Sequence, residues 1–266
     1  MSSFDEILAG VKPNPELCQS KLAGLNLVKR NYIILFGART GSTWLTHLLK
    51  NLLGNPDEYI NPNFLVGNAN RTGATEQRDF MGALRSITQT NGVFGIEATC
   101  EHIKIFGENK FFASIPNPVV FYLWRENLVA QAVSLYRAVK SGYFHSIKGE
   151  QPPDPECVPE EIVRWYKYMA TVENENVKLL ERRNLPSINL TYETIFKDPR
   201  ATLELFFTAL DRPPPPPQDN KKNPLKKLGD EWNENAELQF RNNFPELIAE
   251  VEMNRLVRKK ELKSVL

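Results

Sequence analysis

The sequence predicts an α/β fold: a three-layer sandwich on a mainly parallel sheet, opened by a P-loop-like strand–loop–helix unit. Three observations predict it. Short apolar runs alternate with longer segments of helical spacing along the chain. The runs YIILFGA (32–38) and PVVFYLW (118–124) are continuously apolar, as strands covered on both faces are. The first of them ends in a Gly-containing turn that leads directly into an amphipathic helix.

In chain order, residues 1–30 are mixed and polar and read as a peripheral arm or short helix. After strand 32–38 comes Arg39-Thr40-Gly41-Ser42-Thr43, then WLTHLLKNLL, with Leu45, Leu48, Leu49 and Leu52 on one helical face. Residues 54–92, rich in Asn, Gly, Pro and Arg, read as a long, partly irregular excursion with one short helix near 75–89. Connections of that length tend to carry function. GVFGIEA (92–98) and SINLTY (187–192) are further strands. NLVAQAVSLYRAVKSG (127–142) is a helix stopped by Gly142, and 160–184 is a longer, charged one. DPRATLELFFTAL (198–210) has Asp198 to cap it and Pro199 in its first turn. The segment 145–159 is a Pro-rich loop, and PPPPP (213–217) reads as extended polyproline leading to helices near 229–242 and 245–264. The whole reads as one domain over 1–266, with an N-terminal arm (1–30) and a C-terminal helical extension (211–266).

Composition narrows the function. The chain has 266 residues, 33 Lys+Arg against 32 Asp+Glu, and a net charge of +1, which argues against a dedicated nucleic-acid binder but allows a local basic pocket. Three scattered cysteines, Cys18, Cys100 and Cys157, suggest neither a zinc site nor a disulfide framework and fit a reducing compartment. The N-terminal stretch lacks a signal pattern and no run approaches a membrane span, so a cytoplasmic location is expected.

The turn after the first strand has the chemistry of an anion cradle. Backbone N–H groups at the start of a helix face the ligand, Arg39 adds charge, and Thr40, Ser42 and Thr43 add hydroxyl donors. The bland alternative is a capped helix. The kinase alternative needs GxxxxGK[ST] and an acidic Mg²⁺ ligand; here Gly37 and Gly41 are followed by Ser42, with no Lys, and no later strand ends in Asp. A second basic-plus-hydroxyl pair, Arg125 at the end of PVVFYLW and Ser134 in the next helix, faces the same crevice of an open α/β sheet. Together the two pairs suit one ligand with two separated anionic groups.

FGARTGSTWLTHLL resembles the 5′-phosphosulfate loop of sulfotransferases that use 3′-phosphoadenosine-5′-phosphosulfate (PAPS). YLWRENLVAQAVSLYRAVKSGYF resembles the 3′-phosphate motif of the bacterial trehalose 2-sulfotransferase-like family, matching at Arg125, Val129, Gln131, Ala132, Val133, Ser134, Arg137, Ala138 and Val139. SINLTY, ending at Tyr192, and DEWNENAELQFRNNF are similar more weakly. The resemblance implies sulfuryl transfer from PAPS to a hydroxyl of a carbohydrate or glycolipid, release of adenosine 3′,5′-bisphosphate, no metal, and a homodimer. It places Arg39, Thr40, Gly41, Ser42 and Thr43 at the 5′ end of the donor, Arg125 and Ser134 at the 3′-phosphate, and Tyr192 in the donor site. The family's G-x-P-x-E-[FY] segment is matched by Gly54-Asn55-Pro56-Asp57-Glu58-Tyr59, which makes Glu58 the general base, with Arg39 assisting catalysis. Glu97, where a basic residue is expected, His102, Tyr143, Phe144 and His145 are acceptor-side candidates. Lys221, Lys222, Lys226 and Lys227 read as a solvated stretch or a loop over the 3′-phosphate. A non-catalytic nucleotide or glycan binder on the same fold is the remaining alternative.

Overall fold

Four strands, β1 (Arg30–Phe36), β2 (Val93–Ala98), β3 (Val119–Trp124) and β4 (Ser187–Thr191), form one sheet in the order β2-β1-β3-β4, every pair parallel. They belong to a computed structural model that describes residues 3–144, 152–216 and 230–263, with side chains as far as 256. His145 and the four lysines at 221, 222, 226 and 227 lie outside the described residues.

Thirteen α-helices are described: α1 (Phe4–Leu8), α2 (Pro15–Leu22), α3 (Ser42–Leu49), α4 (Pro62–Thr72), α5 (Gln77–Thr88), α6 (Cys100–Phe106), α7 (Glu108–Ser114), α8 (Leu128–Ser141), α9 (Pro159–Arg182), α10 (Tyr192–Lys197), α11 (Pro199–Ala209), α12 (Glu231–Asn243) and α13 (Pro245–Lys263). The two-residue period of the strands divides their side chains between two cores. Ile33, Leu35, Ile96, Val120 and Tyr122 pack with residues of α1, α4, α5, α6, α7 and α9. Tyr32, Ile34, Phe36, Phe121, Leu123 and Leu190 pack on the other face with residues of α3, α10 and α11, where Phe206 stacks on Phe121 at 3.7 Å. The expected three-layer α/β architecture is therefore present. A third apolar cluster joins α8, α9 and α12.

Two expectations need correction. Of the two readings of the N-terminal segment the short helix holds, as α1 and α2, and the peripheral arm does not: Phe4, Leu8 and Cys18 are buried in the first core. The excursion over 54–92 holds two helices rather than one. Its Asn-rich first half folds as α4 because Leu65, Ala69 and Thr72 recur at helical spacing on a buried face. Pro62 starts that helix, Asn61 accepts from the Asn63 N–H, and Gly73 ends it at φ 72°. The segment between β2 and β3 also folds as two short helices, α6 and α7. No described helix is long and apolar enough to cross a membrane.

Candidate active site

The turns after β1 and β3, the end of β2 and the start of α10 after β4 all lie at the carboxyl edge of the parallel sheet, where open α/β sheets bind ligands. Arg39, Glu97, Arg125 and Tyr192 come from these four places.

The β1–α3 loop is wound by two left-handed residues, Arg39 at φ 64° and Gly41 at φ 83°. Gly41 is the N-cap of α3, and no side chain caps that helix; the Thr40 hydroxyl instead donates to the Gly37 carbonyl at 2.8 Å. The hydroxyls therefore do not play the capping role that would have made this turn merely structural. Tyr192 and Phe196 lie against Gly41, so a Cβ there would sit 2.9 Å from Tyr192 Cδ2 and 3.2 Å from Phe196 Cε2. Gly41→Ala is expected to cost about 1–3 kcal/mol through the positive φ and this clash, read as a melting point lower by about 2–4 °C per kcal/mol.

The two arginines meet. Arg39 Nε donates to Ser134 Oγ at 2.9 Å, and its Nη1 donates to the Phe144 carbonyl at 2.7 Å. Arg125 Nη1 donates to the Arg39 carbonyl at 3.4 Å, and its guanidinium lies 4.3 Å from the centre of the Tyr192 ring. The second motif thus closes on the first: Gln131 Nε2 donates to the Ala38 carbonyl at 2.7 Å. Neither arginine forms a salt bridge among the described residues, and Arg125 Nε is buried without a hydrogen-bond partner. Burial, and then the neighbouring charge of Arg125, lower the Arg39 pKa from its ordinary value. Arginine stays charged regardless, so two cations are held together with a salt bridge to neither among the described residues, the charges of Glu193 and Glu237 acting on Arg125 from farther off. That arrangement calls for an anion.

The carboxylates gather beside this loop. Gly54, at φ 85°, lets the chain pass against β2, where a Cβ would lie 2.8 Å from the Val93 carbonyl oxygen. The Glu97 N–H then donates to the Asp57 carbonyl at 3.0 Å, docking the Glu58 segment on the strand. Glu58 is half-buried; Asn61 Nδ2 donates to its Oε2 at 2.7 Å, and its Oε1 has no partner among the described residues. Burial raises the Glu58 pKa, the Asn61 hydrogen bond opposes this, and Asp57 adds to it. Glu97 is 3% exposed and its Oε1 has no partner. Burial, then the charges of Glu58 and Asp57, raise its pKa well above the ordinary carboxyl value, against a hydrogen bond with Ser42. Both carboxyls are therefore pushed up, Glu97, the more deeply buried, further than Glu58. Glu97 was expected on the acceptor side, but it is enclosed beneath Glu58 and Ser42.

A raised carboxyl pKa has a defined consequence for stability. Between the unfolded and the folded pKa the native state binds the extra proton, so stability falls as pH rises through that window. Glu97→Gln keeps the shape and removes the titration. It is expected to melt like wild type near pH 4 and several degrees higher at pH 8, about 2–4 °C for each kcal/mol gained; parallel melting curves across that range would contradict this.

The remaining candidates are dispersed. His102 is half-buried; its Nδ1 lacks a partner, and burial pushes its pKa down to about 4, so its ring is neutral near pH 7. Tyr143 lines a narrow cleft with Arg39, Ser134, Arg137 and Asp154, and Phe144 is 42% exposed beside it. His47 is exposed on α3, with Nδ1 2.9 Å from the Thr43 carbonyl oxygen. Trp44 is core, stacked on Phe196 at 4.6 Å. Among the described residues no group of His, Cys, Asp and Glu is placed to hold a metal ion.

One part of the site was not foreseen. Arg137 reaches from α8 to Asp230 (2.9 Å), Asn233 (2.5 Å) and Asp154, tying α12 and the segment before α9 to the floor of the cleft. The signal was present: Arg137 and DEWNENAELQF both belong to the strings matched to the family.

No curated protein matches the chain. Among solved structures it is similar to a sulfotransferase from Alicyclobacillus acidocaldarius, with 13% identity, 85% of this chain and 96% of that chain covered, and a TM-score of 0.47. The model of the Stf0 sulphotransferases matches residues 31–243, a span that takes in the β1–α3 loop, the Glu58 segment, both arginines and α12, and the chain therefore belongs to the Stf0 sulphotransferase family.

Proposed function

We propose that the chain transfers a sulfuryl group from PAPS to a hydroxyl of a carbohydrate or glycolipid, with Glu58 as general base. What carries the reading is the arginine pair, with Arg39 and Arg125 side by side, neither in a salt bridge among the described residues, and Arg125 Nε unpartnered. A donor with a 5′-phosphosulfate and a 3′-phosphate supplies the missing negative charge at two points. The uncapped start of α3 offers N–H groups to the phosphosulfate end. Ser134, hydrogen-bonded to Arg39, and Arg125 serve the 3′-phosphate end.

In the reaction the acceptor oxygen attacks sulfur, and its proton passes to the free Oε1 of Glu58. The bond from sulfur to the bridging phosphate oxygen breaks, and that oxygen keeps the electron pair as adenosine 3′,5′-bisphosphate leaves. Arg39 and the loop amides stabilise the charge that grows on the leaving oxygen. Burial beneath Glu58 disfavours a second negative charge on Glu97 near the entering sulfuryl group. Tyr143 and the exposed Phe144 ring offer apolar faces for a sugar at the cleft edge.

Incubation with ³⁵S-labelled PAPS and a panel of glycans and glycolipids tests this. Label is expected on a hydroxyl of at least one acceptor, at a rate at least about 100-fold above a Glu58→Gln control. Label on none, or equal labelling by the control, would contradict it.

A further inference from the structure

The most deeply buried charged side chain in the described structure is not in the matched family span at all. Arg255, on α13, lies beyond residue 243 and is 1% exposed. It uses all five of its N–H groups. Nε and Nη2 form a fork on the Glu173 carboxylate of α9, both at 2.9 Å. Nη1 donates to Glu252 Oε1 at 2.6 Å and to the Glu126 carbonyl at 3.1 Å, and Nη2 donates to the Arg125 carbonyl at 2.7 Å.

Two of these acceptors are the backbone carbonyls of the β3–α8 turn, the turn that carries Arg125. The opposite side of that turn is held as well: the N–H groups of Glu126 and Asn127 donate to the Glu193 carboxylate at 3.0 and 3.3 Å. Asn127 is further tied to α12, donating to Glu237 at 3.0 Å and accepting from Arg241 at 2.9 Å. The turn is clamped between a guanidinium and a carboxylate, while the Arg125 side chain is left with an unused buried Nε.

We infer that Arg255 is a positioning residue for Arg125, and that α13 acts as a buttress setting how well this protein selects for a 3′-phosphate. The inference rests on the donor site proposed above. Only a planar fork can reach Glu173 and both carbonyls at once; a lysine at 255 cannot, so the turn loses its hold while the buried charge is kept. A misplacement of the Arg125 turn falls mainly on the 3′-phosphate, since the 5′ end is held by the amides of the β1–α3 loop, which Arg125 touches only through its long hydrogen bond to the Arg39 carbonyl.

The test is calorimetric titration of wild type, Arg255→Lys and Glu173→Gln with adenosine 3′,5′-bisphosphate and with adenosine 5′-phosphate. Glu173→Gln breaks the same fork without touching α13 and serves if Arg255→Lys does not fold. Both variants are expected to bind the bisphosphate about tenfold more weakly and the 5′-phosphate within about twofold of wild type. Equal weakening for both nucleotides would mean a general structural role and overturn the inference, as would unchanged bisphosphate binding. Wild type that binds both nucleotides alike would overturn the donor reading itself, and this inference with it.

Discussion

Glu58→Gln is expected to lower kcat by about 10²–10⁴-fold while leaving the affinity for adenosine 3′,5′-bisphosphate unchanged. The amide keeps the shape and the hydrogen bond from Asn61 but cannot take a proton. The pH profile gives the same test a second axis. A base works only when ionised, and burial holds the Glu58 pKa above its ordinary value of 4.5. The acid limb of kcat/KM is therefore expected above pH 4.5, and it should vanish in Glu58→Gln. Asp57 also raises this pKa, so Asp57→Asn is expected to move the limb to lower pH. A limb that stays put in Glu58→Gln would assign the base to another group.

Arg125→Ala is expected to weaken bisphosphate binding by about 2–4 kcal/mol, about 30- to 900-fold, because it removes a buried charge from a charge-assisted contact. The free protein should respond far less. Arg125 repels Arg39 in the absence of ligand, while Glu193 and Glu237 attract it and its Nη1 holds the Arg39 carbonyl, so Arg125→Met, which keeps an apolar side chain over the Tyr192 ring, is expected to melt close to the wild-type temperature. Excess ligand should raise the wild-type melting point through RT ln(1 + [L]/Kd), and should raise that of Arg125→Met far less. A variant both less stable and normal in binding would make Arg125 a packing residue.

The sequence made much of this legible, for identifiable reasons. Strands β1 and β3 were visible because strands covered on both faces are short and continuously apolar, and β2 and β4 as shorter runs between turn residues. Helices α8, α9 and α11 were visible through spacing and caps, with Gly142 and Asp198 at their ends as expected. Helix α4 was hidden by its Asn-rich composition, although Asn61, Pro62 and Gly73 carried its boundary signals. The arginine pair was legible as two motifs on neighbouring strand ends; that Arg39 would reach Ser134 itself was not, because it depends on how α8 packs. Glu97 stands in sequence as an acceptor-side candidate where a basic residue is expected, and the docking of the Glu58 segment on β2 helps to enclose it. Arg255 is one of several charges spread along α13. Its partner Glu173 is 82 residues away, and no local pattern connects the two.

The arginine pair is tested most directly by titrating the wild-type protein in a calorimeter with adenosine 3′,5′-bisphosphate, adenosine 5′-phosphate and ADP at one salt concentration. The bisphosphate is expected to bind at least about tenfold more tightly than either of the others, since only it places phosphates at both basic-plus-hydroxyl sites. ADP binding as tightly as the bisphosphate, or no heat from any of the three, would contradict the account.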